Sequence, residues 1–410
     1  MENDTQNTID TDQSVIKKLE KSLSDQLKKA GESLTKWLSP SSGMTFLISK
    51  TKEAVSELVT LDSILTEINQ TSNLTQKELT ALGDAAFETA SKYGKSASDY
   101  LTAVKEMYAA GVQNAKEMAE LSLLAQSAGG MDSSSTSAYL LAANEAYGYK
   151  GNVKELTKVL DGQNHIAENT VLSLDDMAAA ASKAASTASE CNVEMDELSA
   201  MIAAVASDTK QSSTEVANAL NSIFTSLQDT TNTAITDVFE AANISMTKMS
   251  NGSEVLKTPI ELLQELSEVF TDLENNSALK ADILNSIGSG TAGDALNSIL
   301  SDWSAYESML GLYSQGMGSA AKAAEENVSN IQSSLNRLSN TWTDTIGNIA
   351  DSEIMLTVVN SLNSLLNILN KMTDTFGSWG SIGLGAGLFA GLKKNAGREK
   401  CYPSHGICLQ

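Results

Sequence analysis

Residues 212–227 read SSTEVANALNSIFTSL. Ser212 and Glu215 stand at the spacing of a capping box. In that device a hydroxyl accepts from the amide three residues on, and the carboxylate reaches back to the cap's own amide. Behind them Val216, Leu220, Ile223, Phe224 and Leu227 recur at three- and four-residue intervals. That is the period of a helix with one apolar face. The pairing of cap and stripe decides the fold class because it recurs. Thr75/Glu78, Ser96/Asp99, Ser173/Asp176 and Thr258/Glu261 repeat the box, and Pro259 takes the first helical position of the last. Leu101, Val104, Tyr108, Gly111 and Ala115 form a second stripe, and Leu262, Leu266, Val269, Phe270 and Leu273 a third.

Outward from these stretches the chain stays helical in character. Its three prolines are Pro40, Pro259 and Pro403, so residues 41–258 and 260–402 are uninterrupted. Strand-rich folds spend proline and glycine at their many turns. Aromatics are only 5% of 410 residues. Packing must therefore come from Leu, Ile, Val, Met and many alanines, which favours thin bundles over one thick core. The stretch 177–189 is nearly all Ala, Ser and Thr, a helix with a small, closely approached face. Stops are expected at Gly111, Gly129-Gly130, Gly148–Gly151 and Asn192. The expected fold is all-α: a multi-helix bundle followed by long coiled-coil-like helices.

Five segments follow from composition. Residues 1–41 hold an amphipathic helix over 12–30 and a linker, Ser39-Pro-Ser-Ser-Gly43. Residues 42–257 form the helical core, with six to eight helices over 44–255. Residues 258–318 form a second helical set, turning at Gly288–Asp294. Residues 319–374 carry an apolar seam, Ile331, Leu335, Leu338, Trp342, Ile346 and Ile349, continued by Leu356, Val359, Leu362, Leu366 and Leu369. Residues 375–410 are a Gly-rich apolar segment and tail. No repeat of fixed period stands out.

Charge excludes some functions. Lysine and arginine number 28 against 51 acids, a net of −23, and the arginines are Arg337 and Arg398 alone. A nucleic-acid interface needs clustered cations to displace counterions, so no direct nucleic-acid binding is expected. Cys191, Cys401 and Cys408 are too sparse for a disulfide framework and suit a reducing cytosol. The start, Met1-Glu-Asn-Asp4, has no basic and apolar leader.

Reactive constellations are scarce. The two histidines, His165 and His405, have no metal-ligand spacing around them, and His165 is expected in a loop between helices. Asp175-Asp176 sit where a helix N-terminus favours negative charge. Gly288-x-Gly290-x-x-Gly293 matches a dinucleotide fingerprint, but that motif needs a strand before it, and 278–287 reads as helix. Cys401 and Cys408, with six residues between them including His405, read as tail rather than zinc ligands. No catalytic, cofactor or metal residue is assigned, and no enzyme is expected. Residues 376–392, FGSWGSIGLGAGLFAGL, hold no charge, with Gly383, Gly387 and Gly391 every fourth residue. A buried or flexible segment and a transient membrane contact are both readings of it.

From residue 42 onward the chain resembles the core of tail tape-measure proteins of phages and prophages of low-GC bacteria. The resemblance runs in order through GMTFLISKTKEAVSELVTLDSILTEINQTSNLTQKEL (43–79), AFETASKYGKSASDYLTAVKEMYAAGV (86–112), LLAQSAGGMDSSSTSAYLLAANEAYGY (123–149), NVEMDELSAMIAAVASDTKQSSTEVANALNSIF (192–224), and the segments PIELLQEL (259–266), GTAGDAL (290–296) and SLNRLSNTWTDTIGNI (334–349). It spans about residues 42–400. Order and spacing carry it, not a single motif.

The resemblance implies a structural virion protein. Such proteins associate in a few copies as an extended core, partnered by assembly chaperones and surrounded by tail-tube subunits. They set tail length, lie in the tube lumen after assembly in the host cytoplasm, and leave ahead of the DNA at ejection. Family members are usually longer, so a short or truncated prophage version is expected. The alternative is a membrane-active helical protein, a pore former or effector, acting through 376–392.

Overall fold

The structure is a computed structural model that describes residues 60–328 except 276, 289 and 290, with scattered positions at 57 and between 336 and 344. The N-terminal helix and linker of 1–41, most of the seam 331–369, and the segment 376–392 with the tail lie outside the described residues. The chain divides into two units, residues 63–333 and residues 1–62 with 334–410. Every element named below belongs to the first.

The fold is all-α. After a helical stretch over 63–71 come α1 (Gln76–Lys92), α2 (Ala97–Ala109), α3 (Ala115–Gly129), α4 (Ser133–Ala146), α5 (Val153–Asn169), α6 (Leu174–Glu190), α7 (Met195–Thr209), α8 (Ser213–Gln228) and α9 (Thr233–Ala241). A hairpin of β1 (Thr247–Ser250) and β2 (Ser253–Leu256) follows. The unit then closes with α10 (Pro259–Asp272), α11 (Ala278–Ile287), α12 (Thr291–Ser301), α13 (Trp303–Ser314) and α14 (Ser319–Val328).

The helix starts are where the caps place them. At α8 the Ser212 amide donates to the Glu215 carboxylate at 2.9 Å, and Ser212 Oγ accepts from the Glu215 amide at 3.4 Å. The same reciprocal pair opens α1, α2 and α10. At α6 Ser173 Oγ accepts from the Asp176 amide at 3.0 Å. Each satisfies an amide the helix leaves orphaned, worth about 1 kcal/mol. The stops hold as well: α2 ends before Gly111, so Ala115 opens a new helix instead of continuing the stripe from Leu101.

Two layers stack by helical hairpins. α2, α4, α6 and α8 neighbour one another in one layer, and α3, α5, α7 and α12 in the other. α6 packs against α4, α8, α7 and α5 through Met177, Ala178, Ala180, Ala181, Ala184, Ala185 and Ala188. The alanines among them let several neighbours approach one helix closely. On α8, Val216, Leu220, Ile223, Phe224 and Leu227 are fully buried, each stabilising by about 1.5–3 kcal/mol. One apolar cluster runs from Met107 to Ala320. A helix does begin after the expected 257/258 boundary, and the cluster continues across it through Leu262, Leu266 and Phe270. α13 and α14 reverse course: α13 lies on α7 and α5, and α14 on α5 and α3.

The hairpin corrects the reading of 42–257 as wholly helical. Thr247 pairs with Leu256 and Ser250 with Ser253, antiparallel, around a turn at Asn251 (φ 52°) and Gly252 (φ 80°). Asn-Gly is the pair that tolerates two positive φ values in a tight hairpin turn.

Candidate functional site

α5 carries the most unusual sequence in the unit. Asp161-Gly162-Gln163-Asn164 lie in mid-helix, and all four are buried. Buried polar groups are costly unless bonded, and here each is. Tyr139 Oη on α4 donates to Gln163 Oε1 at 2.8 Å. Gln163 Nε2 donates to Ser199 Oγ on α7 at 2.9 Å, and Ser199 Oγ donates to the Met195 carbonyl at 2.6 Å. Asn164 Nδ2 donates to Ser319 Oγ on α14 at 3.1 Å and to Glu168 Oε1 at 3.0 Å.

Asp161 completes the hub. Its Oδ2 accepts from the Gly318 amide at 2.8 Å and its Oδ1 from the Ala320 amide at 3.1 Å. Its own carbonyl accepts from Ser319 Oγ at 2.7 Å. The carboxylate thus caps α14 from another helix, 157 residues away in sequence. Burial pushes its pKa up, against the lowering effect of the two amides. Gly162 makes room for α13: a Cβ there would lie 2.6 Å from the Tyr313 ring. Burial also raises the Tyr139 and Tyr313 phenols well above the ordinary range. Every oxygen and nitrogen of the hub named here already has a partner. Such an arrangement fixes the register of α4, α5, α7 and α14, and it presents no base poised beside a nucleophile.

The residues singled out from sequence fall elsewhere. His165 lies inside α5, not in a loop, with Nδ1 3.6 Å from Glu168 Oε2. Burial of Leu156, Val159, Leu160 and Ile166 carries the helix through Gly162 despite that residue's low helix propensity. Asp176 accepts from Ser213 Oγ at 2.9 Å as well as from Ser173 Oγ at 2.6 Å, so it joins the starts of α6 and α8. Those bonds hold its carboxyl below the usual range. Gly288 follows α11, not a strand, and a Cβ there would meet the Ala292 carbonyl at 2.8 Å. Cys191 is buried, and its thiol is pushed up by desolvation. Gly290, His405, Cys401, Cys408 and residues 376–392 lie outside the described residues.

Among the described residues no group of three or more His, Cys, Asp or Glu could hold a metal ion. No described helix is long and apolar enough to cross a membrane. On the surface, Lys92 pairs with Glu120 at 2.6 Å, Lys105 with Glu67 at 3.1 Å and Lys257 with Glu265 at 2.7 Å, and Lys248 pairs with Glu261.

The hub itself was not foreseen; the only local signal was an unbroken helical stripe on both sides of Asp161-Gly162. No solved structure matches this chain. Residues 83–288, from α1 to the end of α11, match the family described as phage-related minor tail protein. That stretch is half of the chain and contains α5, while the α13 and α14 residues that complete the hub lie beyond it; the chain belongs to the phage-related minor tail protein family.

Proposed function

We propose that this tail protein is the tape measure of its virion: a non-catalytic core that sets tail length and scaffolds polymerisation of the tube. The ordered resemblance over 42–400, coarsely supported by the family match over 83–288, carries the reading. Its partners are then tail-tube subunits and assembly chaperones, with a few copies of the chain associating in the tube lumen. Helicity supports a ruler role, since a helix advances about 1.5 Å per residue. The charge of −23 supports release ahead of DNA, because an acidic surface does not grip a phosphate backbone. Pairing of surface lysines with acids adds to that.

Electron microscopy of tails carrying in-frame deletions within residues 331–369 tests the proposal. Removing about 28 residues should shorten the tail by roughly 40 Å. Tails of unchanged length would refute the ruler role and leave the family membership standing. A second reading rests on the uncharged run 376–392, which would aid ejection by contacting the host membrane. Liposome leakage that persists after deletion of 376–392 would refute it.

A further inference from the structure

α14 is held differently from the helices beneath it. Its buried side chains are Ser319, Ala320, Ala324 and Val328, a face that removes little apolar area from water. α8, by contrast, buries Leu220, Ile223, Phe224 and Leu227 completely. Polar bonds take the place of area. At one end Asp161 receives the Gly318 and Ala320 amides, and Ser319 bonds Asp161 and Asn164. At the other end Asn327 Nδ2 donates to the carbonyls of Ser127 at 2.9 Å and Ala128 at 3.2 Å on α3. The approach is a sharp corner. Gly316 rests against the Asp161 backbone, where a Cβ would overlap its carbonyl, Met317 is 92% exposed, and Gly318 has φ +81°.

Such a helix is fastened at two ends and weakly glued between them. Hydrogen bonds of this kind form or fail as geometry is kept or lost, whereas apolar area yields gradually. Among the described residues α14 packs chiefly on α5 and α3, so its departure leaves the pairing of α2, α4, α6 and α8 intact. We infer that α14 is a releasable strap, which opens from α3 and α5 as one unit about the Gly316–Gly318 corner and is keyed shut by Asp161. Opening bares the Asp161 carboxylate and the carbonyls of Ser127 and Ala128. The inference does not depend on the tape-measure reading.

Native-state hydrogen exchange of the full chain, read by mass spectrometry, tests it. Peptides covering 319–328 should exchange at least about tenfold faster than those of α6–α8, through local opening. Asp161→Ala and Asn327→Ala should each raise that rate by about a further tenfold and leave α6–α8 unchanged. Should Asp161→Ala fail to fold, Asn327→Ala at the exposed rim carries the test alone. Exchange of 319–328 at the rate of α6–α8 in the unaltered chain would overturn the strap. So would acceleration of all helices equally by Asn327→Ala.

Discussion

α8 and α5 lie in facing layers of one unit and are built on opposite principles. α8 is capped by a reciprocal Ser–Glu pair and buries leucine, isoleucine and phenylalanine. α5 buries aspartate, glutamine and asparagine among its aliphatic residues, and its N-cap, Asn152, makes no side-chain hydrogen bond. Apolar burial is non-directional, so α8 supplies stability without dictating which neighbour it meets. The polar groups of α5 are satisfied only in one arrangement, so they select partners. Tyr139, Ser199 and Ser319 are fixed in place by what Gln163, Asn164 and Asp161 require. One helix stabilises the stack and the other specifies it.

The sharpest break in that comparison is a truncation. Residues 83–288 match the family, yet Ala295, Leu296, Ile299 and Leu300 of α12 are fully buried against α7, α8 and α10. A chain ended at residue 288 should lose its cooperative thermal transition, whereas one ended at 328 should keep it, as followed by circular dichroism. Next in size is Phe224→Ala on α8, which should cost about 3–5 kcal/mol in urea unfolding through lost transfer energy and a cavity. Gly162→Ala on α5 should cost about 1–3 kcal/mol by forcing the Tyr313 ring aside. Combined with Tyr313→Ala, its cost should fall below the sum of the two singles. Strict additivity would mean that Gly162 is not there for the ring.

A subtler contrast is pH. The Glu261 and Asp176 carboxyls are held low by their hydrogen bonds and, for Glu261, by Lys248 above all. Stability from these caps is full above the ordinary carboxylate pKa and is lost as pH falls through their lowered values. Asp161 has the opposite sign: its pKa is raised, so its contribution improves as pH falls through that raised value and levels off below the ordinary one. Urea midpoints of the unaltered chain relative to Asp161→Asn should therefore diverge as pH drops from neutral toward the ordinary carboxylate pKa. A constant difference would show that Asp161 stays in its ordinary range.

What could be read from sequence follows from the same contrast. Caps and stripes act within one or two turns, so Ser212 with Glu215 and Leu220 with Phe224 announce their helix without knowledge of the rest. The hairpin was within reach too, since Asn251-Gly252 sits between short alternating runs, but four-residue strands were lost beside long helices. The hub was out of reach. Nothing near Asp161 indicates that its carboxylate caps a helix beginning at Ser319, because that pairing exists only after the chain folds back. Of the expected coiled-coil-like helices over 319–374 only α14 (Ser319–Val328) is among the fully described elements, and nothing in its own sequence indicates that its start is held by α5.

The return of α13 and α14 also sets an order of events during synthesis. Among themselves α1 to α8 meet chiefly at a remove of one or two helices, and such contacts close quickly as the chain lengthens. The bonds from α14 span 157 residues to Asp161 and 200 to Ser127. They cannot form until residues 318–320 and Asn327, respectively, have left the ribosome. Until then Asp161 and Asn164 wait without the partners that α14 brings.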